Sequence, residues 1–277
     1  IGGQSIGLRR YGVGMIRVAV TGAGGRMGSE VCRAVAAATD VALVAGVDPS
    51  IEGEALHDVI GVASETGVHG SVSQLDPTEV DVVVDFTHVA VSREVLDWCA
   101  ADGVHAVVGT TGFTEDEIER FRNEFTDSNA LIAPNFAIGA VMMMRMAEIA
   151  APYFEPAEVI ELHHNAKRDA PSGTAMMTAT RIENAKLASG TEWDVDPTEH
   201  EVVHGARGGK VGGVGVHGVR MHGMVAHQEV IFGTTGETLT IRHDSIHRDS
   251  FMPGVLLGVR RIADTPGVTL GLDALLF

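Results

Sequence analysis

From Glu161 to Ala175 the chain reads Glu-Leu-His-His-Asn-Ala-Lys-Arg-Asp-Ala-Pro-Ser-Gly-Thr-Ala. This short run sets two histidines, His163 and His164, and two cations, Lys167 and Arg168, just ahead of a helix start. Ser172 is of a type that caps a helix, with Gly173 and Thr174 in the first turn. The first N–H groups of a helix point outward at the positive end of its dipole. With the Thr174 hydroxyl and the Lys167 charge they form a carboxylate site, suited to a small molecule with one or two carboxylates. No metal is expected, because adjacent strand residues point to opposite faces and His163 and His164 cannot share one ion. His217, His222, His227, His243 and His247 show no ligand spacing. Ser172 lies in Ala-Pro-Ser-Gly-Thr rather than in a G-x-S-x-G elbow, which argues against a serine nucleophile.

A second chemistry-bearing segment lies near the N-terminus. The β-branched run Met15–Thr21 closes on Gly22-Ala23-Gly24-Gly25-Arg26-Met27-Gly28, and a helical pattern follows to Thr39. A dinucleotide pyrophosphate fits such a turn: glycines admit the close backbone approach and the helix N-terminus attracts the anion. The spacing Gly22-x-x-Gly25-x-x-Gly28 departs from strict G-x-G-x-x-G, since Met27 stands where its third glycine belongs. Asp48 ends the next apolar strand and is expected to accept hydrogen bonds from the adenosine ribose. Asp48 disfavours a ribose 2′-phosphate and so favours NADH, whereas Arg26 pairs with that phosphate and favours NADPH. Pro49 leaves no basic residue directly after Asp48, and use of both cofactors is expected. Gly109-Thr110-Thr111-Gly112 and Ala133-Pro134-Asn135-Phe136 each follow a predicted parallel strand and are candidates for contacts to the nicotinamide half.

The elements that must hold these residues can be read from the pattern. Apolar strands at 41–47, 80–86, 104–108 and 130–133 alternate with helices at 90–102 and 114–126, which predicts a doubly wound, Rossmann-like parallel sheet. Thr114-Glu115-Asp116-Glu117 is a capping-box sequence. After residue 134 the texture changes. A helix at 138–153, a strand at 157–163 and a helix at 173–187 lead to strand-like runs at 214–221, 227–232 and 238–242, which predicts a second α+β domain with a mixed sheet. The expected division is an extension at 1–14, a dinucleotide domain at 15–134 completed by 246–277, and a substrate domain at 135–245. The formal net charge of −17 argues against nucleic acid or an anionic membrane as partner. No apolar run is long enough to span a bilayer. The two cysteines, Cys32 and Cys99, fall in apolar helical stretches and fit reduced thiols in a cytoplasmic protein.

Taken with Asp85-Phe86-Thr87 and Phe113, these motifs resemble the 4-hydroxy-tetrahydrodipicolinate (dihydrodipicolinate) reductase family of diaminopimelate and lysine biosynthesis. The resemblance runs from Met15 onward, and the His-His-x-x-Lys-x-Asp-Ala-Pro-Ser-Gly-Thr run is its most specific part. It implies an NADH- or NADPH-dependent reduction of a cyclic dicarboxylate, with His163 and Lys167 as the proton-donating pair. His164, Ser172, Gly173 and Thr174 are then substrate contacts. Gly22, Ala23, Gly24, Gly25, Arg26, Met27, Asp48, Gly109, Thr110, Thr111, Ala133, Pro134, Asn135 and Phe136 are cofactor contacts. The resemblance also implies a homotetramer, and adds an oligomerisation role to the domain at 135–245. The alternatives are another two-domain dehydrogenase or a non-catalytic nicotinamide sensor. An acylating dehydrogenase needs a cysteine nucleophile, which Cys32 and Cys99 are poorly placed to supply. A sensor has no need of His163 and Lys167 beside a carboxylate site.

Overall fold

The computed structural model describes residues 14–62, 64 and 66–277; the expected extension otherwise lies outside the described residues. The chain opens with β1 (Ile16–Thr21), α1 (Gly28–Ala37), β2 (Val41–Val47), α2 (Leu56–Ile60), β3 (Val68–His69), β4 (Val82–Asp85), α3 (Val89–Asp102), β5 (His105–Val108), α4 (Glu115–Glu124) and β6 (Ala130–Ile132). Next come α5 (Ile138–Ala150), β7 (Ala157–His163), α6 (Gly173–Ser189), β8 (Gly209–Val211), β9 (Val214–Arg220), β10 (Ala226–Thr234) and β11 (Glu237–Ser245). The chain closes with α7 (Met252–Arg261) and β12 (Val268–Leu270).

These elements form two compact units. The first holds the described residues up to Ile138 together with Phe251–Phe277, and the second is Gly139–Ser250. Seven parallel strands form the sheet of the first unit in the order β12-β6-β5-β4-β1-β2-β3. Connections run one way from β1 through β2 to β3 and the other way from β4 through β5 to β6. The switch point therefore lies between β1 and β4, where Thr21 is in register with Asp85. Every residue of β4 and β5 is buried, as continuous Val-rich strands covered on both faces require. The α4 capping box forms: Thr114 Oγ1 accepts from Glu117 N at 3.2 Å and Glu117 Oε2 from Thr114 N at 2.8 Å.

The second unit has a mixed five-stranded sheet in the order β11-β10-β7-β9-β8, with β7 and β9 parallel and the other pairs antiparallel. Its core gathers Val159, Ala175, Ala179, Ile182, Val216, Val230 and Phe232 with Met143 and Ala147 of α5. β11 is an edge strand whose side chains are mostly exposed.

The division differs from the expected one by a few residues. Phe136 is buried in the first unit, tilted against Phe86 with ring centroids 5.6 Å apart, so the boundary moves past it to Ile138. The helix expected to reach Tyr153 ends at Ala150 and closes as a 3₁₀ turn around Pro152. β3, β8 and β12 span two or three residues each, too short for any period to register.

Candidate functional site

In the first unit the glycine turn follows β1 directly. Gly22 takes φ +73° and donates to Val47 O at 2.8 Å, while Gly25 N donates to Gly22 O at 2.9 Å. A methyl group at Gly28 would fall 1.9 Å from Gly22 O, so only glycine lets α1 begin against the turn. The close-packing glycine is thus one position later than in the strict pattern, which is why Met27 is tolerated. No side chain caps the start of α1, and Gly24, Gly25 and Arg26 are exposed above it. Exposed backbone at an uncapped helix start is the cradle a pyrophosphate needs, so the turn fits a dinucleotide. Asp48 serves this turn: Oδ2 accepts from Gly24 N at 3.0 Å, and Oδ1 from Ser50 N at 3.0 Å and Ser50 Oγ at 2.6 Å.

Asp85, fully buried at the end of β4, collects the surrounding loops. It accepts from Thr21 Oγ1 at 2.6 Å, Thr87 Oγ1 at 2.7 Å and Thr110 Oγ1 at 2.9 Å, and from Ser92 Oγ. The Thr110 hydroxyl therefore faces inward, while Thr111 is exposed. Gly109 lies against the Phe86 ring, leaving no room for a Cβ. Ala133 N donates to Val108 O at 2.9 Å, exposed Pro134 follows, and Asn135 Oδ1 accepts from Ala137 N at 2.9 Å ahead of α5.

In the second unit the His-Lys run continues β7. Positions 157, 159 and 161 share the buried face, so Glu161 is carried inside among apolar neighbours. Its carboxylate accepts from His163 Nδ1 at 2.5 Å, Arg220 Nη1 at 2.8 Å, Arg220 Nη2 at 2.7 Å and Ser172 N at 3.2 Å. Burial alone would raise the pKa of Glu161, but the hydrogen bonds from Arg220 and His163 outweigh it and hold the carboxyl below its ordinary range. Burial pushes His163 down, and the Glu161 hydrogen bond does not fully offset it. The ring is accordingly neutral at neutral pH and donates Nδ1–H to Glu161.

Ser172 caps α6, its Oγ accepting from Ala175 N at 3.2 Å. Gly173 is exposed with open space over it. Lys167 Nζ donates to Asp169 Oδ1 at 2.8 Å and Oδ2 at 2.9 Å, and His164 is exposed. His163 and Ser172 thus meet on Glu161, and Lys167 is held by Asp169, whose carbonyl accepts from Arg220 Nη2 at 2.7 Å. Arg220 belongs to no motif and lies 59 residues from Glu161 in sequence, so spacing gave no sign of it. Glu161 did carry a signal, as a carboxylate on the inward parity of an apolar strand. Among the described residues no three His, Cys, Asp or Glu side chains are arranged to hold a metal ion.

A parallel sheet with a glycine cradle at its switch point, in a chain that also carries a histidine and a capped helix start on one carboxylate and a lysine in the loop between them, defines a dinucleotide-dependent oxidoreductase. Comparison with known proteins narrows this. The family models for dihydrodipicolinate reductase match at residues 16–136 (N-terminus) and 139–276 (C-terminus). The 4-hydroxy-tetrahydrodipicolinate reductase of Nocardia farcinica is 53% identical over 264 residues, 94% of this chain and 98% of that protein. Its counterpart from Streptomyces coelicolor is 49% identical over 93% of this chain and 96% of that protein. The dipicolinate-bound dihydrodipicolinate reductase from Paenisporosarcina sp. TG-14 superposes with TM-score 0.83 at 37% identity, covering 94% of this chain and 99% of that one. The chain belongs to the dihydrodipicolinate reductase family. GenD2 of gentamicin A biosynthesis, solved with NAD, shares the fold at TM-score 0.61 and 14% identity.

Proposed function

We infer that the chain reduces 4-hydroxy-tetrahydrodipicolinate to tetrahydrodipicolinate with NADH or NADPH, releasing water, in diaminopimelate and lysine biosynthesis. The observation that carries the site assignment is that Glu161 binds His163, Arg220 and the Ser172-capped start of α6, while Arg220 also holds the Asp169 carbonyl of the loop that carries Lys167. The Paenisporosarcina relative was solved with dipicolinate, a dicarboxylate. On this reading one substrate carboxylate lies on the Gly173 and Thr174 N–H groups and the Thr174 hydroxyl, with His164 at its side. Lys167 exchanges Asp169 for the substrate. The nicotinamide, when bound, supplies a hydride to the ring carbon that carried the hydroxyl. Negative charge then builds on the ring, and the Lys167 ammonium stabilises it and gives the proton that completes the product. His163, neutral at neutral pH, orients the substrate rather than donating. The turn Gly22–Met27, exposed at Gly24, Gly25 and Arg26 and anchored by buried Ala23, holds the pyrophosphate and Asp48 the ribose. Thr110 acts through its backbone, and Thr111 and Ala133–Phe136 meet the nicotinamide half.

The test is nicotinamide absorbance during turnover, with the unstable substrate made in place by a synthase from pyruvate and aspartate semialdehyde. NADH and NADPH are both expected to be oxidised, and Lys167→Ala should lower kcat about 10²–10⁴-fold. No oxidation by the folded, cofactor-binding chain would overturn the reading.

The reading extends to a cytoplasmic homotetramer. Exposed β11 offers an unpaired strand edge, a feature proteins commonly cover by pairing. Burial pushes the Cys32 thiol up to about 12 and raises Cys99 as well, so both stay as inert thiols. Sedimentation equilibrium of the full chain should give four copies; a monomer at micromolar concentration would refute the assembly.

A further inference from the structure

We propose that Glu161 and Arg220 form a positioning pair, one that sets the ring of His163, the loop carrying Lys167 and the start of α6 in a single arrangement. The proposal rests on the site reading above and adds residues to it. Glu161 is fully buried and accepts four donors from three segments: His163 at the end of β7, Arg220 at the end of β9, and the backbone of Ser172 ahead of α6. Parallel pairing explains why they meet, since Glu161 is in register with Gly218 and His163 with Arg220. A Cβ at Gly218 would lie 3.1 Å from Glu161 Oε1, so glycine there leaves room for the carboxylate.

The Arg220 fork is spent on this one task. Nη1 and Nη2 hold both carboxylate oxygens, Nη1 also donates to Val219 O at 2.8 Å, and Nη2 donates to Asp169 O at 2.7 Å. Asp169 in turn holds Lys167. A lysine in place of Arg220 keeps the charge but cannot span two oxygens and a loop carbonyl together. Glu161 accepts from Nδ1 of His163, which leaves Nε2 as the lone-pair nitrogen, turned away from the pair.

The test reads His163 directly. Full-length chain labelled with ¹⁵N-histidine is titrated by NMR, with His163→Gln identifying the resonance. The groups facing the ring are Glu161, Lys167 and Arg220. In the native chain His163 is expected as the Nδ1–H tautomer, titrating below 6.5. Arg220→Gln, which removes a like charge, should raise its pKa by about one unit, and Glu161→Gln should lower it by about one unit. Arg220→Lys should restore most of the titration but not the loop anchorage. Its substrate KM should rise about tenfold while its NADH affinity stays within about twofold of native. An unchanged His163 titration in folded Arg220→Gln, or a native substrate KM in folded Arg220→Lys, would overturn the proposal. If Glu161→Gln fails to fold, the two Arg220 variants decide alone, because they leave Glu161 its His163 and Ser172 partners. If instead the native chain shows the coupled His163 but turns over no substrate, the pair stands and the proposed reaction falls.

Discussion

Asp85 and Glu161 occupy matching places in the two units. Each is fully buried near the carboxyl end of a strand, and each draws in residues from separate loops. Their partners differ in kind. Asp85 is held by four neutral hydroxyls, those of Thr21, Thr87, Ser92 and Thr110. Glu161 is held by a guanidinium, an imidazole and a backbone N–H. A hydroxyl can donate or accept, so a hydroxyl cage can rearrange around a changed centre. A guanidinium only donates, and it carries a charge that burial makes costly to leave unpaired. One device is adaptable and sits where an anionic pyrophosphate is expected to arrive. The other is rigid and sits where a proton and a carboxylate must be aligned.

The sharpest way to break this comparison is to neutralise both carboxylates by the same isosteric change. Glu161→Gln points an amide N–H₂ at the Arg220 guanidinium and the Ser172 N–H, which cannot accept, and should destabilise the chain by about 3–5 kcal/mol in urea unfolding. Asp85→Asn meets hydroxyls that can turn to accept, and should lose only about 1–3 kcal/mol, with NADH binding weakened in fluorescence titration. An equal loss in the two variants would remove the distinction. Acid should weaken the Glu161 site. Glu161 is held below its ordinary 4.5, so its stabilising contribution is complete above that pH and is lost as pH falls through the folded value. His163, held below 6.5, acts in the same direction. Chemical-denaturation midpoints should therefore fall on acidification, most steeply below pH 4.5, and Arg220→Gln should flatten that slope. The smallest effect is expected from Thr21→Val, which removes one of four hydroxyls and should cost about 1 kcal/mol. A loss several times larger would show that the cage does not rearrange.

Much of this molecule was legible in its residues. Continuous apolar runs placed β1, β2, β4, β5 and β6, because a strand covered on both faces must be apolar along its length. The glycine turn, the Thr114 capping box and the Ser172 cap are local chemistry, decided within a few residues by which side chain reaches which N–H. The His163–Thr174 run kept its site residues within a dozen positions, so sequence proximity stood in for spatial proximity.

What only the tertiary structure decided is what comes from afar. β12 completes a sheet begun at residue 16, and its three residues carry no period of their own. Asp85 was legible as part of the Asp85-Phe86-Thr87 motif, but not the hydroxyl cage that Thr21, Ser92 and Thr110 build on it. Arg220 is one cation among 20 until the register of β7 and β9 sets it beside Glu161. That register also places His163 where burial pushes its pKa down against the Glu161 hydrogen bond, an effect its residue type does not reveal. Composition and spacing determine which chemistry the chain carries, because side-chain types and local backbone geometry are written residue by residue. Which groups are buried together, and so which charges and tautomers persist, depends on strand pairing across dozens of residues.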